Sequence, residues 1–207
     1  MKKFLINKCM NYIKRKNTYS KQELQEIEYG LVSIYLTISK LIFVSLICIV
    51  LGIFKEMIIF TLIFNILRMP AFGLHATKSW ICLISTTILF IGIPLLCMHI
   101  ELNKVVVSII CSIGILLMYK NAPADTYKRP IVSKKRREIY KTLSTLIAII
   151  FSFSSILIKD QFISNCFIFA LILENALISP IVYRLFKLPY NNYIKFLNEH
   201  PEYIKQV

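Results

Sequence analysis

His75 and Cys82 are the two residues of this 207-residue chain whose types and spacing most directly indicate chemistry. They lie seven positions apart in the segment 68–82, which reads RMPAFGLHATKSWIC. A cysteine becomes a useful nucleophile when a histidine within hydrogen-bonding reach takes up the thiol proton. The chemistry that this pair predicts is therefore nucleophilic catalysis by a thiolate.

A continuous helix would keep the pair apart, since residues seven positions apart lie about 10 Å from each other along the axis. We therefore expect the histidine on non-helical chain, interrupted by Pro70 and Gly73. Thr77 or Ser79 is suited to cap the helix that follows. With Ser79 as the cap, Cys82 falls in the first turn, where the positive helix end favours a thiolate. The alternative is a packed cysteine and a solvated histidine without chemistry.

The composition shows where such a pair would be placed. Hydrophobic residues make up 57% of the chain and charged residues 17%, with a mean hydropathy of +0.64. These proportions exclude a soluble enzyme and a disordered chain. We predict an all-α integral membrane protein, a polytopic bundle of six helices forming a single membrane domain over 1–207. The predicted spans are about 31–54, 56–69, 80–98, 102–119, 142–158 and 161–183.

Charge predicts the orientation of this bundle. The chain has 25 Lys and Arg against 11 Asp and Glu, a net charge of +14. With six crossings and both termini cytoplasmic, 21 of the 25 basic residues fall on the inner side, as the positive-inside rule requires. If the short second run did not cross, the basic loop 120–141 would lie outside. The protein is thus expected in the cell membrane as a multi-pass protein, beside anionic lipid of the inner leaflet.

The segments outside the spans also carry signals. Residues 1–16 have the pattern of a basic amphipathic helix on a membrane surface, so 1–30 are predicted to be cytoplasmic or interfacial. Ser20 and Glu23 form a capping-box pattern that starts the next helix. Gly52 is a plausible break between the first two spans, and 184–207 form a cytoplasmic tail.

Two ionisable residues are predicted to lie within the membrane. Lys40 and Glu174 are each nine residues from the inner end of their span, and so about 13 Å deep. Equal depth permits an ion pair that offsets the cost of burying either charge. The alternative is that each snorkels or faces a wet cavity.

The inner loop 120–141 has a cluster of cations that favours carboxylates. It is a candidate docking patch for an acidic peptide, and the alternative is a topology-setting loop near anionic lipid. Limited aromatic interleaving argues against nucleic acid as a partner, and the absence of a CxxC pair argues against a metal site. The candidate substrate-binding residues are Lys128, Arg129, Lys134, Lys135, Arg136 and Arg137.

At these residues the chain resembles the accessory gene regulator B (AgrB) family of membrane cysteine endopeptidases in Gram-positive quorum sensing. The resemblance is carried by Arg68, by Gly-Leu-His-Ala at 73–76 and by Cys82. It continues in the second inner loop with Ala-Pro-Ala-Asp at 122–125 and Arg-Pro-Ile at 129–131.

The resemblance implies a function and a mechanism. The substrate would be an AgrD-like precursor peptide with an amphipathic leader, an internal Cys or Ser and an acidic tail. Cys82 would be the nucleophile and His75 the general base and acid at the cytoplasmic face, releasing the tail through a thioester. The internal nucleophile would then close a thiolactone or lactone ring.

Two further residues take supporting roles in this picture. Arg68 is a candidate for holding a carboxylate or the oxyanion, and Asp125 for orienting His75 as a third member. No cofactor and no metal is expected, and the family resemblance favours a homodimer. The rival reading is a small non-catalytic membrane transporter or adaptor that binds an acidic peptide through its basic inner loop.

Overall fold

The computed structural model describes residues 2–16, 19–74, 79–126 and 130–201, and over these ranges the protein is helical, as predicted. The described residues form nine helices, which are joined by short turns and loops. They are α1 (Lys2–Lys16), α2 (Lys21–Val50), α3 (Phe54–Ala71), α4 (Ser79–His99), α5 (Lys104–Asn121), α6 (Lys134–Leu157), α7 (Gln161–Ile178), α8 (Pro180–Leu185) and α9 (Asn192–Glu199).

Five helices within the described ranges are long and apolar enough to cross a membrane, namely α2, α4, α5, α6 and α7. The chain is therefore a multi-pass membrane protein. Helix α3, the predicted second span, has 18 residues but carries the charged side chains of Lys55, Glu56 and Arg68. Its crossing, and with it the count of six, stays a prediction.

Contacts divide the chain into two compact units, of which the first is Met1–Gly52. Helix α1 packs on α2 through a short apolar stripe that includes buried Ile6 and Met10. The capping box that the sequence predicted is present, since the Glu23 amide donates to Ser20 Oγ at 3.3 Å and the Ser20 amide donates to Glu23 Oε2 at 2.7 Å. The break at Gly52 is also present, with a positive φ of 72°.

The second unit, Ile53–Val207, is built around α7. This helix packs against α3, α4, α5 and α6, so its apolar side chains are buried on several sides. Gly114 of α5 permits close approach, because a Cβ there would lie 2.6 Å from a methyl carbon of Leu171. Large buried side chains of this unit include Phe60, Leu67, Met118, Phe151, Leu171, Ile178 and Tyr183.

Two of the helix boundaries that differ from the apolar runs have a clear local cause. Helix α6 begins at Lys134, eight residues before the predicted span, because the Ser133 hydroxyl caps it by accepting from the Arg136 amide at 3.5 Å. Helix α7 ends at Ile178, inside the run 161–183, because Pro180 has no amide hydrogen and disfavours helical geometry in the residue before it. The hydroxyl of Ser179 then caps α8.

Candidate active site

The loop after α3 is non-helical from Phe72 to Leu74. The predicted break is therefore present at Gly73, whereas Pro70, which was expected to interrupt the chain with it, lies inside α3. Phe72 and Gly73 have positive φ angles of 61° and 95°. A Cβ at Gly73 would lie 2.6 Å from Arg68 Nη1 and 2.9 Å from the Leu177 carbonyl oxygen. Only glycine fits this position, both for its conformation and for its surroundings. His75 follows directly in sequence and lies outside the described residues, together with 76–78.

Backbone hydrogen bonds tie this loop to the loop that follows α5. The Gly73 amide donates to the Ala124 carbonyl at 2.7 Å, and the Ala124 amide donates to the Ala71 carbonyl at 3.0 Å. Phe72 and Ala124 form an isolated parallel bridge. The Leu74 amide donates to the Leu177 carbonyl, at the end of α7, at 2.9 Å. The segment that enters His75 is therefore held by two other parts of the unit.

The Arg68 side chain joins α3, α7 and the loop. Its Nη1 lies 3.2 Å and 3.4 Å from the two carboxylate oxygens of Glu174, and its Nη2 donates to the Leu74 carbonyl at 2.6 Å. The Glu174 side chain is 0% exposed, and its carboxylate forms an ion pair with the Arg68 guanidinium. The partner of Glu174 is thus Arg68, where equal depth had suggested Lys40. Sequence reasoning noted Glu174 as a charge in a span but did not connect it with the site.

Cys82 lies in the first turn of α4, as predicted, although Ser79 is the first helical residue rather than the residue before the helix. Its side chain is half-buried, with Sγ 3.9 Å from Thr86 Oγ1. The other five cysteines differ, since Cys9 is exposed and Cys48, Cys97, Cys111 and Cys166 are buried. Of the six, Cys82 is the half-buried one, and it lies in the first turn of a helix.

Asp125 connects the loop after α5 to the C-terminal segment that contains α9. Its buried carboxylate accepts hydrogen bonds from the backbone amides of Asn192 at 2.9 Å, Tyr193 at 2.7 Å and Ile131 at 3.4 Å. Burial raises the pKa of Asp125, although these three amides act in the opposite direction. The tail contact had no signal in the sequence. The predicted contact of Asp125 with His75 falls on a residue outside the described ranges.

The basic cluster of the loop 120–141 separates into two kinds of residue among those that the structure describes. Lys134, Lys135 and Arg136 are exposed in the first turn of α6. Arg137 is half-buried: its Nη1 donates to the carbonyls of Ile131 at 2.8 Å and Val132 at 2.7 Å, and its guanidinium lies 3.9 Å from the ring centroid of Tyr193. Lys128 and Arg129 lie outside the described residues.

Comparisons with known proteins agree with these features. A model of the accessory gene regulator B family matches residues 6–178. The chain is 32% identical to an AgrB-like protein of Clostridium acetobutylicum over 84% of this chain and 83% of that protein. It is 30% identical to accessory gene regulator protein B of Staphylococcus aureus strain MW2 over 70% of this chain and 79% of that protein.

A third relative is an AgrB-like protein of Listeria monocytogenes, 28% identical over 83% of this chain and 84% of that protein. No solved structure matches the chain. The family match covers most of the sequence, including the loops after α3 and α5 and the candidate cysteine and histidine. The chain therefore belongs to the accessory gene regulator B family.

Proposed function

We propose that this protein is a membrane-embedded cysteine endopeptidase that cleaves the acidic tail from a small autoinducing-peptide precursor in quorum sensing. The observation that carries the proposal is the position of Cys82. It is half-buried in the first turn of α4, shortly after a loop whose last described residue, Leu74, is held at both its amide and its carbonyl. His75 is the next residue of that loop.

The proposed first step is acylation of Cys82. His75 takes the thiol proton while the sulfur attacks the carbonyl carbon before the acidic tail. The tetrahedral intermediate collapses, the peptide C–N bond breaks, and the same histidine returns the proton to the leaving amine. The products are a thioester on Cys82 and the free tail.

The second step is ring closure. The internal Cys or Ser of the precursor attacks the thioester, gives up its proton to His75, and displaces the Cys82 thiolate, which takes that proton back. Cyclisation of the thioester is faster than its hydrolysis if water is excluded and the internal nucleophile is held nearby. Cys82 lies near the start of the apolar helix Trp80–His99. The proposed position of this helix start at the membrane boundary would favour both conditions.

Charge gives a reason for the acidic tail of the substrate. Lys134, Lys135 and Arg136 form the exposed first turn of α6, so a carboxylate there would meet both side-chain cations and the positive end of the helix. Lys128 and Arg129 are proposed to extend this patch. Basic α1, lying on the anionic inner leaflet, is proposed to recruit the amphipathic leader.

The proposed topology has six crossings with both termini and the active site on the cytoplasmic side. Its weakest element is α3, with three charges. The ion pair of Arg68 with buried Glu174 neutralises one of them, and Lys55 and Glu56 lie in the first turn, where they can reach the interface. A homodimer, tested by cross-linking in lipid, completes the proposal.

Mass spectrometry on the full chain in lipid, mixed with a candidate precursor, tests the mechanism. Wild type should release the acidic tail and carry a hydroxylamine-labile adduct on Cys82. Cys82→Ser and Cys82→Ala should give neither a thioester nor ring closure. The matched control is Cys9→Ser, which changes an exposed cysteine of α1 and should behave as wild type.

The contrary result is equally clear. If wild type binds the precursor, leaves it intact and keeps Cys82 unmodified, the endopeptidase assignment is wrong. The protein would then act as a transporter or as an adaptor that binds an acidic peptide through its basic inner loop.

A further inference from the structure

Glu174 is a buried acidic residue to which the proposed mechanism gives no role. It is 0% exposed inside α7, one turn before the helix ends. An unpaired carboxylate at such a place in a membrane helix is strongly disfavoured, and residues of this kind usually have a functional partner. Its ionic partner here is Arg68, which contacts both carboxylate oxygens through Nη1.

The same guanidinium has a second contact, on the loop. Arg68 Nη2 donates to the Leu74 carbonyl at 2.6 Å, a short charge-assisted hydrogen bond. A planar guanidinium has a fixed shape, so a carboxylate at one nitrogen determines where the other nitrogen points. Glu174 thereby decides the position from which Arg68 holds Leu74.

Helix α7 holds Leu74 a second time. The Leu177 carbonyl accepts from the Leu74 amide at 2.9 Å. Glu174 and Leu177 are three residues apart, so they lie on the same face of α7. Helix α7 therefore fixes the position of the Leu74 amide by a direct hydrogen bond, and the position of the Leu74 carbonyl indirectly, through Arg68. Gly73 leaves the space that the guanidinium needs, since a Cβ there would lie 2.6 Å from Nη1.

The Leu74 carbonyl belongs to the peptide bond that enters His75. A peptide bond is planar, so holding this carbonyl holds the plane from which His75 continues. We infer that Glu174 is a positioning residue for the reaction: it orients Arg68, and Arg68 fixes the Leu74–His75 peptide so that the histidine serves Cys82. This inference rests on the proposed function.

The test is the rate of Cys82 acylation by the precursor in a single turnover, with the precursor Kd measured on the same full-length protein in lipid. Glu174→Gln should lower the acylation rate by about 100-fold, the cost of a small misplacement at a reacting centre. The precursor Kd of Glu174→Gln should stay within about two-fold of the wild-type value, because the lost interaction matters only for the chemical step. Glu174→Asp, which keeps the charge, should recover part of the rate.

A double variant separates positioning from folding. Glu174→Gln leaves Arg68 charged and unpaired, whereas Arg68→Gln with Glu174→Gln removes both charges. If Glu174 acts through Arg68, the double variant should be no slower than Arg68→Gln alone. The matched control is Asn165→Ala, which removes another buried polar side chain of α7, bonded to the Cys97 and Ile100 carbonyls. It should lower thermal stability and leave the acylation rate unchanged.

The outcomes are distinct. If wild type is active and Glu174→Gln acylates Cys82 within two-fold of the wild-type rate, the inference is wrong and the proposed function stands. The same holds if Glu174→Gln lowers the acylation rate equally with Arg68 present and with Arg68→Gln. A loss that follows thermal stability across Glu174→Gln and Asn165→Ala also overturns the inference. A wild type that binds the precursor without forming a thioester overturns the proposed function and the positioning role together.

Discussion

At Gly73 a single residue must satisfy two demands. Its φ of 95° is one that side-chain-bearing residues adopt only with strain, and its hydrogen occupies the place where a Cβ would meet Arg68 Nη1 and the Leu177 carbonyl. The side chain could yield, but the carbonyl is part of a helix and cannot move far. The conformation of the loop and the position of the guanidinium therefore depend on the same glycine.

Gly73→Ala should consequently impair the reaction more than the fold. The strained conformation costs about 1–3 kcal/mol, and displacement of Arg68 should lower precursor cleavage by about 100-fold. Cleavage assays and thermal unfolding in lipid measure the two effects. Gly92→Ala is the control, because nothing lies within 4 Å of a Cβ there. Wild-type cleavage by Gly73→Ala would contradict the requirement for glycine.

Asp125 makes a prediction about pH. Burial raises its pKa above the ordinary 3.8, so the folded protein holds this proton more tightly than the unfolded chain does. The corresponding stability is present below the unfolded pKa and is lost as the pH rises through the folded one. The stability of wild type relative to Asp125→Asn should therefore decrease as the pH rises from 4 towards 7.

Thermal unfolding of both proteins across that pH range provides the measurement. Glu138→Gln, a change at an exposed carboxylate, is the control and should show no such trend relative to wild type. The contrary result would be a wild type that becomes more stable relative to Asp125→Asn as the pH rises. It would mean that the hydrogen bonds from Asn192 and Tyr193 stabilise the carboxylate more than burial destabilises it.

At the scale of the element, the start of α6 conflicts with helix electrostatics. Its first turn has basic residues and no acidic one, although the positive helix end favours carboxylates there. Such a turn is less stable than one with acidic residues would be. An anionic ligand would relieve the repulsion, which is the behaviour expected of a binding surface.

Lys135→Glu should therefore have opposite effects on stability and on binding. The substitution should stabilise the helix by about 0.3–1 kcal/mol and weaken the affinity for the acidic precursor, with a reduced dependence on salt. Lys159→Glu is the matched control, since it makes the same change of charge at an exposed site in the α6–α7 connection. Equal losses of affinity in the two variants would show that net charge acts, rather than a defined patch.

For the whole molecule, the crossing of α3 decides on which side the chemistry takes place. With the N-terminus inside, as proposed, a crossing of α3 places the α4–α5 connection outside and the start of α6 inside. Glu101→Cys should then react with a membrane-impermeant maleimide on intact cells, and Lys134→Cys only after the cells are opened. Both variants are made in a Cys9→Ser, Cys82→Ser background to remove the cysteines with accessible side chains. The reverse pattern would place Cys82 on the outer side.

Much of the fold could be predicted because the signals are local. Long apolar runs predict helices wherever they occur, and the Ser20 capping box and the Gly52 break depend on neighbours within a few residues. The start of α6 after Ser133 and the end of α7 at Ile178 could not be predicted from hydropathy. A hydropathy profile does not register a serine cap or a proline that divides an apolar run.

The sequence by itself determined that the chain is helical, apolar and basic, and that Cys82 falls in the first turn of a helix. Only the tertiary structure decided that Glu174 pairs with Arg68, 106 positions earlier, and that Asp125 accepts amides 67 and 68 positions later. The physical reason is that periodicity and hydropathy report the depth and the apolar face of a helix. They do not report which helix lies opposite that face. A buried carboxylate can therefore pair with any basic side chain at a similar depth, and the sequence does not say with which one.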